Sequence, residues 1–369
     1  MKTVSESGMT DDFAADANAA YWDVASRRHS RMRLCRATAT LLAFLLAPVA
    51  LANTKQDATP PSRCAVEILV LGIAQDAGIP QIGQRSDSAW DDHANLRPEY
   101  ARLATSLALL DHRSGKRYLF EATPDLRQQL QRLDLHAAGT TAGLAIDGIF
   151  LTHAHIGHYA GLMFLGHESA GASGVPVHAM PRMLAFLKNN GPWQQLASFG
   201  NITLRPMQDN VAVSLGEALR VIPHRVPHRD EYSETVGFSI EGPGAAVLFI
   251  PDIDSWARWQ DEYGQSIEDQ ILRHDVAYLD ATFYDDNELP GRDMSAIPHP
   301  RIAAMMEQFD ALPSEQRSKV RFIHLNHSNP ARYADSAASK AIRKRGYRVA
   351  REGESTCLAA APAPLHPES

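Results

Sequence analysis

The feature that most constrains the fold is a series of short apolar segments, each bounded by turn residues and each typical of a strand. They outnumber the segments with helical periodicity, and the helices fall between groups of strands. The segments are "VEILVL" at 66–71, a hairpin within 104–123, "DGIFLT", "PVHAM", "ITLRPM", "LRVIPHRV", "VGFSIEG", "AAVLFIPDID", "VAYLDAT" and "VRFIHLN". This pattern predicts an α+β fold in which two sheets are layered against each other and covered by helices.

Two helices are expected from their own signals. Pro124 opens a segment with Leu126, Leu130 and Leu133 on one face, which is typical of a helix start followed by an apolar stripe. Near the C-terminus, "RYADSAASKAIRKRGYRVARE" predicts a helix and then a closing strand.

An apolar run near the N-terminus has the features of an export signal. It follows "RRHSRMRLCR", is about fifteen residues long, and ends in the small-x-small pattern Ala50-Leu51-Ala52. We therefore expect cleavage after Ala52 and a periplasmic or secreted protein, with an uncleaved membrane anchor as the alternative. The polar segment 1–31 lies upstream of the charged region, so Met32 is an alternative start to Met1. The expected organisation is 1–52 as upstream segment and signal, 53–63 as linker, 64–361 as the folded domain and 362–369 as tail.

Charge and cysteine content narrow the function classes. Lys and Arg total 36 against 43 Asp and Glu, a net charge of −7 without a basic block, so nucleic acid is excluded as the main partner. A small-molecule substrate is expected, with no stable membrane association after signal cleavage, while the oligomeric state is left open. Beyond the signal only Cys64 and Cys357 remain, too few for a disulfide framework. Two free thiols are the favoured interpretation, and one disulfide joining the two ends is the alternative.

A dense histidine cluster follows one of the predicted strands. In "FLTHAHIGHYAGL", His153 and His155 alternate along an extended segment and so point to one side, and His158 follows after one further turn of chain. Neutral imidazole is a common zinc ligand, and a tetrahedral zinc site takes three or four of its ligands from the protein. The cluster predicts a metal site at the edge of the sheets.

The His-x-His-x-x-His segment resembles the signature of the metallo-β-lactamase superfamily. The resemblance implies an αββα four-layer sandwich with one or two metal ions at the edge of its two sheets. More narrowly, four stretches resemble the branch of pyrroloquinoline quinone biosynthesis protein B: "LGIAQDAGIPQ" at 71–81, "ATPDLRQQL" at 122–130, "VPHRDEYSETVGFSI" at 226–240 and "FIHLNHSNP" at 322–330.

This resemblance implies two ligand sets. One metal would be held by His153, His155 and His228. A second would be held by His158, Asp252 and His324, with Asp252 able to bridge. His228, Asp252 and His324 each follow an apolar strand, although any one of them alone could be a capping or turn residue. The alternatives to His228 and His324 are His224 and His327, respectively.

The departures from the family pattern affect the metal count. His153 and His155 stand where the quinone branch typically lacks histidine, and Gly157 stands where the superfamily usually has aspartate. Because an anionic ligand is missing there, we expect one tightly bound Zn²⁺ and a second ion that is weak or absent, with Fe²⁺ or Mn²⁺ as alternative metals. The apparent export signal also differs from the cytoplasmic location expected of a cofactor-biosynthesis enzyme.

The expected function is metal-dependent hydrolysis of an ester, lactam or phosphoester. A zinc ion on three imidazoles lowers the pKa of a bound water from about 15.7 to near 7. Asp252 would orient that water or take its proton, and His327 or Arg229 would steady the developing oxyanion. The loop from Gln75 through Asp76 to Gln81 would line the cleft and contact substrate, a simple glycine turn being the alternative. An iron-dependent redox or oxygenase-type enzyme related to quinone biosynthesis, and a non-catalytic metal-dependent binding protein, are the other hypotheses.

Overall fold

The computed structural model describes residues 64–91, 93, 95–137 and 144–361. The expected upstream segment and signal, linker and tail lie outside the described residues, so the export signal and the domain boundaries remain predictions. Among the described residues, no helix is both long and apolar enough to cross a membrane.

The described residues form two seven-stranded sheets. The strands are β1 (Cys64–Gly72), β2 (Ser106–Asp111), β3 (Lys116–Phe120), β4 (Gly148–Phe150), β5 (Val175–Ala179), β6 (Ile202–Pro206), β7 (Val213–Gly216), β8 (Leu219–Arg225), β9 (Val236–Glu241), β10 (Ala246–Ile250), β11 (Val276–Asp280), β12 (Val320–Ile323), β13 (Arg348–Val349) and β14 (Ser355–Ala360). The first sheet has the order β14-β1-β2-β3-β4-β5-β6 and the second the order β13-β12-β11-β10-β9-β8-β7. Within the first sheet β3 to β6 are parallel, and within the second β10 to β13 are parallel.

Helices cover the outer faces of both sheets. They are α1 (Leu126–His136), α2 (Ile156–Tyr159), α3 (Pro181–Asn189), α4 (Gly191–Ser198), α5 (Trp256–Tyr263), α6 (Ile267–Arg273), α7 (Ile302–Phe309), α8 (Ser314–Arg317) and α9 (Ala337–Lys344), with short 3₁₀ turns at Ala160–Leu165, Met294–Ala296 and Pro330–Arg332. The first predicted helix is confirmed as α1, with Leu126 and Leu133 buried. The helix predicted near the C-terminus is α9, and the closing strand predicted after it is only the two-residue β13.

Strand β1 shows how the layers are built from sequence. Ile68 and Val70 face the core shared with the second sheet, whereas Leu69 and Leu71 face the helices that cover the first sheet. Successive side chains of a strand point to opposite faces, so this unbroken apolar run is what a strand buried on both sides requires. Phe120 of β3 lies 5.5 Å from Phe238 of β9 between ring centroids, across the interface of the two sheets. The αββα sandwich predicted from the sequence is confirmed.

The two ends of the folded domain are joined by a disulfide between Cys64 and Cys357, whose Cα atoms are 5.4 Å apart. Strand β14 pairs antiparallel with β1 at the edge of the first sheet, which brings the last strand beside the first. The favoured interpretation of two free thiols was therefore wrong, and the alternative of one bridge between the ends is correct. The spacing of two cysteines gives no sign of this pairing, because the pairing depends on the sheet order.

The order of the strands in the sheets also brings the polar residues that follow the strands to one edge. Strands β10, β11 and β12 are parallel neighbours, so the segments after them leave the second sheet at one edge. Asp252, Asp280 and His324 lie at these three strand ends. The histidine cluster follows β4 of the first sheet, and the two sheets together place all these groups in one region.

Candidate metal centre

Three imidazoles form the first group of potential ligands. The ligand atoms of His153, His155 and His228 lie within 4.8 Å of one another. Nε2 of His153 is 2.8 Å from Nδ1 of His155, and Nε2 of His228 is 3.2 Å from the same Nδ1. His153 and His228 are buried, whereas the side chain of His155 is 20% exposed and lies on the solvent side. The structure thus brings together the three residues expected to hold one ion.

Two more imidazoles and a carboxylate form the second group. Oδ2 of Asp252 is 3.0 Å from Nε2 of His158 and 3.3 Å from Nε2 of His324. The other oxygen, Oδ1, is 3.8 Å from Nε2 of His228, which belongs to the first group. Asp252 therefore stands between the two groups, as a bridging ligand would.

Asp76 is an unexpected member of the second group. Its Oδ1 lies 3.2 Å from Nε2 of His158 and 3.7 Å from Nε2 of His324, and the three residues could hold an ion. From the sequence, Asp76 was expected to contact substrate, and only one carboxylate was expected at the second position. In the structure Asp252 and Asp76 both face these two imidazoles.

In each of the five imidazoles, one ring nitrogen faces the other potential ligands and the second, here called the outer nitrogen, faces away from them. Each outer nitrogen has a polar neighbour. These neighbours are Thr152 for His153, Glu231 for His155, Glu121 for His158, Asp254 for His228 and Thr282 for His324. Thr282 Oγ1 donates to Asp280, so it accepts from Nδ1–H of His324 and leaves Nε2 with a free lone pair. Outer partners of this kind orient metal-binding imidazoles and fix their tautomers.

Glu121 lies on the buried side of the centre and contacts residues that orient both groups of potential ligands. It is fully buried, its Oε1 accepts a hydrogen bond of 2.5 Å from Thr152 Oγ1, and it lies 3.3 Å from Nδ1 of His158. Since Thr152 donates to Glu121, it accepts from Nδ1 of His153 at 2.8 Å. Glu121 was not among the residues predicted from the sequence, although a charged residue directly after the apolar run "YLF" is a signal that could have identified it.

Backbone strain is concentrated at this centre. Asp76, Glu121 and His324 have φ values of 37°, 79° and 64°, a region that residues other than glycine seldom occupy. Such conformations cost on the order of 1–3 kcal/mol each and persist where the surrounding structure enforces them. Here the strained backbone positions direct the side chains of Asp76, Glu121 and His324 toward the centre.

The donor set fits a divalent metal. Of the buried polar atoms that have no hydrogen-bond partner within the described part of the chain, four belong to this centre, namely both ring nitrogens of His158, Oδ2 of Asp252 and Nε2 of His324. An unpartnered buried polar atom costs about 1–3 kcal/mol, and more when it is charged. Three of these atoms converge in the second group, where Oδ2 of Asp252 lies 3.0 and 3.3 Å from the two Nε2 atoms and a cation would satisfy all three.

The buried groups of the centre shift one another's pKa values. Burial lowers the pKa of His153, and the nearby charge of His158 lowers it further, which favours the neutral imidazole that a metal requires. Burial alone would raise the pKa of Asp252, but the charges of His324 and His158 hold it well below its usual range. The carboxylates therefore need a positive charge between them, which a protonated imidazole or a dication can supply.

His299 and Asp280, neither of which was predicted from the sequence, form a pair beside the centre. His299 Nδ1 is 2.7 Å from Asp280 Oδ2 and 3.9 Å from Asp252 Oδ1. Burial lowers the pKa of His299, but the charge and hydrogen bond of Asp280 outweigh burial and raise it to about 9. Both oxygens of Asp280 already accept hydrogen bonds from Ile253, Thr282 and His299, so Asp280 orients His299 rather than offering a ligand atom.

The remaining predicted residues lie around the centre with different roles. Arg229 is exposed and its charge acts on His155. The backbone N–H of Gln75 donates to Leu325 O at 2.9 Å, next to His324. His327 belongs to none of the groups of potential ligands found among the described residues, and the charges acting on it are those of Arg332 and Asp87.

His224, the alternative to His228, has a structural environment. Its Nδ1 lies 2.7 Å from Asn210 Oδ1 and its Nε2 2.8 Å from Ser239 Oγ, so both ring nitrogens are already paired. The geometry favours His228 and His324 over His224 and His327, as the motif positions predicted.

The sandwich and its edge cluster of histidines and aspartates define a protein of the metallo-β-lactamase class. The model for the beta-lactamase superfamily domain matches residues 116–350, and the chain belongs to this family.

The resemblance to the quinone biosynthesis branch is confirmed by curated relatives. Coenzyme PQQ synthesis protein B of Methylorubrum extorquens (strain PA1) is 25% identical over 313 residues, covering 78% of this chain and 98% of that protein. Its counterpart in Rhizobium meliloti (strain 1021) is 27% identical over 313 residues, covering 78% of this chain and 96% of that protein.

Solved structures share the fold. The Zn²⁺-bound PqqB of Methylobacterium extorquens has a TM-score of 0.63 and 22% identity, covering 79% of this chain and all of that one. A diphosphatase from the PhnP family has a TM-score of 0.50 and 21% identity, covering 79% of this chain and 96% of that one. Family and site together support a metal cofactor and a metal-dependent, hydrolase-type function.

Proposed function

We propose that this protein is a zinc-dependent hydrolase that directs a metal-activated water at a small-molecule ester, lactam or phosphoester. The observation that carries the proposal is the pair of ligand groups joined by Asp252, in which each imidazole has a polar neighbour on its outer nitrogen. His153, His155 and His228 would hold the first ion, and His158, Asp252 and His324 would lie at the second position. When bound, a zinc ion supplies an acidic water and a Lewis acid for the substrate's carbonyl or phosphoryl oxygen.

Side chains of the protein would accept and donate the protons that the reaction transfers. Asp252 is buried and ionised at the point where the two groups meet, so it can orient the attacking water and accept its proton. His299 bonds Asp280 through Nδ1, which leaves Nε2 to give a proton to the leaving group. This geometry favours His299 for a role near the developing charge that the sequence analysis gave to His327. Arg229, at the exposed side near His155, would meet an anionic part of the substrate.

A substrate panel tests the proposal. Purified protein containing zinc should turn over at least one class among activated carboxylic esters, β-lactams and phosphodiesters, and the protein stripped with a chelator should not. Iron as the bound metal together with no hydrolysis of any class would contradict the proposal and favour the redox alternative. Bound zinc without turnover would favour a binding protein.

His299→Gln is expected to lower kcat by roughly 10²-fold for substrates with a poor leaving group, because glutamine cannot donate a proton as a general acid. The loss should be small for a nitrophenolate, which leaves without protonation. His274→Gln is the matched control, since His274 is also buried but bonds Ser239 outside the centre. Equal losses for good and poor leaving groups would show that His299 has another role.

We also propose that the protein works in the periplasm or outside the cell. The apolar run before Ala52 motivates this, and the disulfide supports it, because disulfides persist in oxidising compartments and are rare in the cytosol.

A further inference from the structure

The loop that carries Asp76 is fixed by backbone hydrogen bonds on two sides. Leu325 N–H donates to Ile73 O at 2.8 Å and Gln75 N–H donates to Leu325 O at 2.9 Å, which ties the loop to the residue that follows His324. On its other side Thr105 N–H donates to Ala74 O at 2.8 Å. The position of Asp76 is therefore set by the same strand end that sets His324.

Gly157 provides the space that the loop occupies. A Cβ atom at 157 would lie 2.4 Å from Cα and 2.6 Å from Cβ of Asp76, closer than real Cβ contacts come. Position 157 lies in α2 and has no positive φ, so close approach rather than backbone conformation explains the glycine. Any side chain at 157 would push Asp76 away from the imidazoles.

The Asp76 carboxylate points at two ring nitrogens that have no hydrogen bond within the described part of the chain. Nε2 of His158 and Nε2 of His324 are buried without a hydrogen bond, and Asp76 Oδ1 lies 3.2 Å and 3.7 Å from them. Asp252 approaches the same two nitrogens with its Oδ2. The side chain of Asp76 is 42% exposed, so it closes this group on its solvent side. Its strained φ of 37° indicates that the loop is held in this position rather than relaxed into it.

We propose that Asp76 is a ligand of the second metal position, together with His158, His324 and Asp252. The loop after β1 thus supplies, from 81 positions away in sequence, the carboxylate that position 157 lacks. Two carboxylates and two imidazoles compensate the charge of a dication, so the second position binds its ion firmly and is not the weak position that the histidine cluster alone implies. This inference rests on the proposed metal centre but does not depend on which reaction the centre catalyses.

The test is the number of zinc ions bound by the metal-free full chain, measured by calorimetric titration and by elemental analysis after dialysis. The unaltered chain should bind two ions. Asp76→Asn should bind one ion with the affinity of the first position kept, and affinity at the second position should fall by roughly 10–100-fold or more. Asp91→Asn is the matched control, because it removes the same charge from the segment between β1 and β2, and the side-chain bonds of Asp91 among the described residues are to His93 and Asn95 of its own turn.

Gly157→Ala is the second variant. It keeps every carboxylate but displaces the loop, and it should lose the second ion as Asp76→Asn does. Chemical unfolding of the metal-free variants tests whether the fold persists. Two ions in Asp76→Asn with unchanged affinities, or a single ion in the unaltered chain, would overturn the inference. If the metal counts come out as expected while no substrate is turned over, the proposed hydrolysis fails and the ligand assignment stands.

Discussion

His153→Ala is expected to remove the ion from the first position and to lower turnover by ~10³-fold or more, because the acidic water depends on that ion. Nε2 of His153 faces His155 in the first group, and its Nδ1 is held by Thr152. Alanine deletes one of the three imidazoles proposed to hold the first ion and leaves the buried Thr152 and Glu121 without the imidazole they orient. The measurement is zinc content and kcat/KM on the same preparation.

His167→Ala is the control for this substitution. His167 is exposed and stacks on Phe199, with ring centroids 4.9 Å apart. The control should keep both metal content and turnover. Full activity in His153→Ala would contradict the proposed role of the first position.

Replacing Cys64 and Cys357 together with serine is expected to reduce the free energy of unfolding by up to about 5 kcal/mol. The two cysteines are 293 residues apart, so the bridge restricts nearly the whole unfolded domain, and long loops give the largest effect in the chain-entropy model. Zinc content of the folded variant should be unchanged, because the bridge lies at the β1–β14 edge of the first sheet. Urea unfolding of the oxidised protein and the variant gives the difference.

Reduction of the unaltered protein serves as the control for the cysteine variant. Its unfolding curve under reducing conditions should coincide with that of the double serine variant. Two reactive thiols in protein isolated without reductant, or equal stability before and after reduction, would show that the bridge is not formed.

The outline of the centre was predictable because strand ends leave local signals. His153, His155 and His158 are close in sequence, and Asp252 and His324 each follow an apolar run. The sequence therefore indicated which residues converge, and the layered sheets follow from the same alternation of strands and turns.

The parts that were missed depend on contacts between distant segments. Asp76 reaches His158 only because the first loop is bonded to Leu325, and Gly157 reads as a missing ligand until that loop is in place. His299 joins Asp280 across an irregular segment between β11 and α7. None of these pairings has a fixed sequence spacing, since sheet order and loop path determine them.

The most direct test of the central claim is the rate of hydrolysis measured while zinc is added back to metal-free protein, on the most reactive substrate of the panel. We predict no turnover without metal and a rate that rises with bound zinc until the ligand groups are filled. Turnover by the metal-free protein equal to that of the zinc-loaded protein, or zinc binding that brings no hydrolysis, would contradict the account.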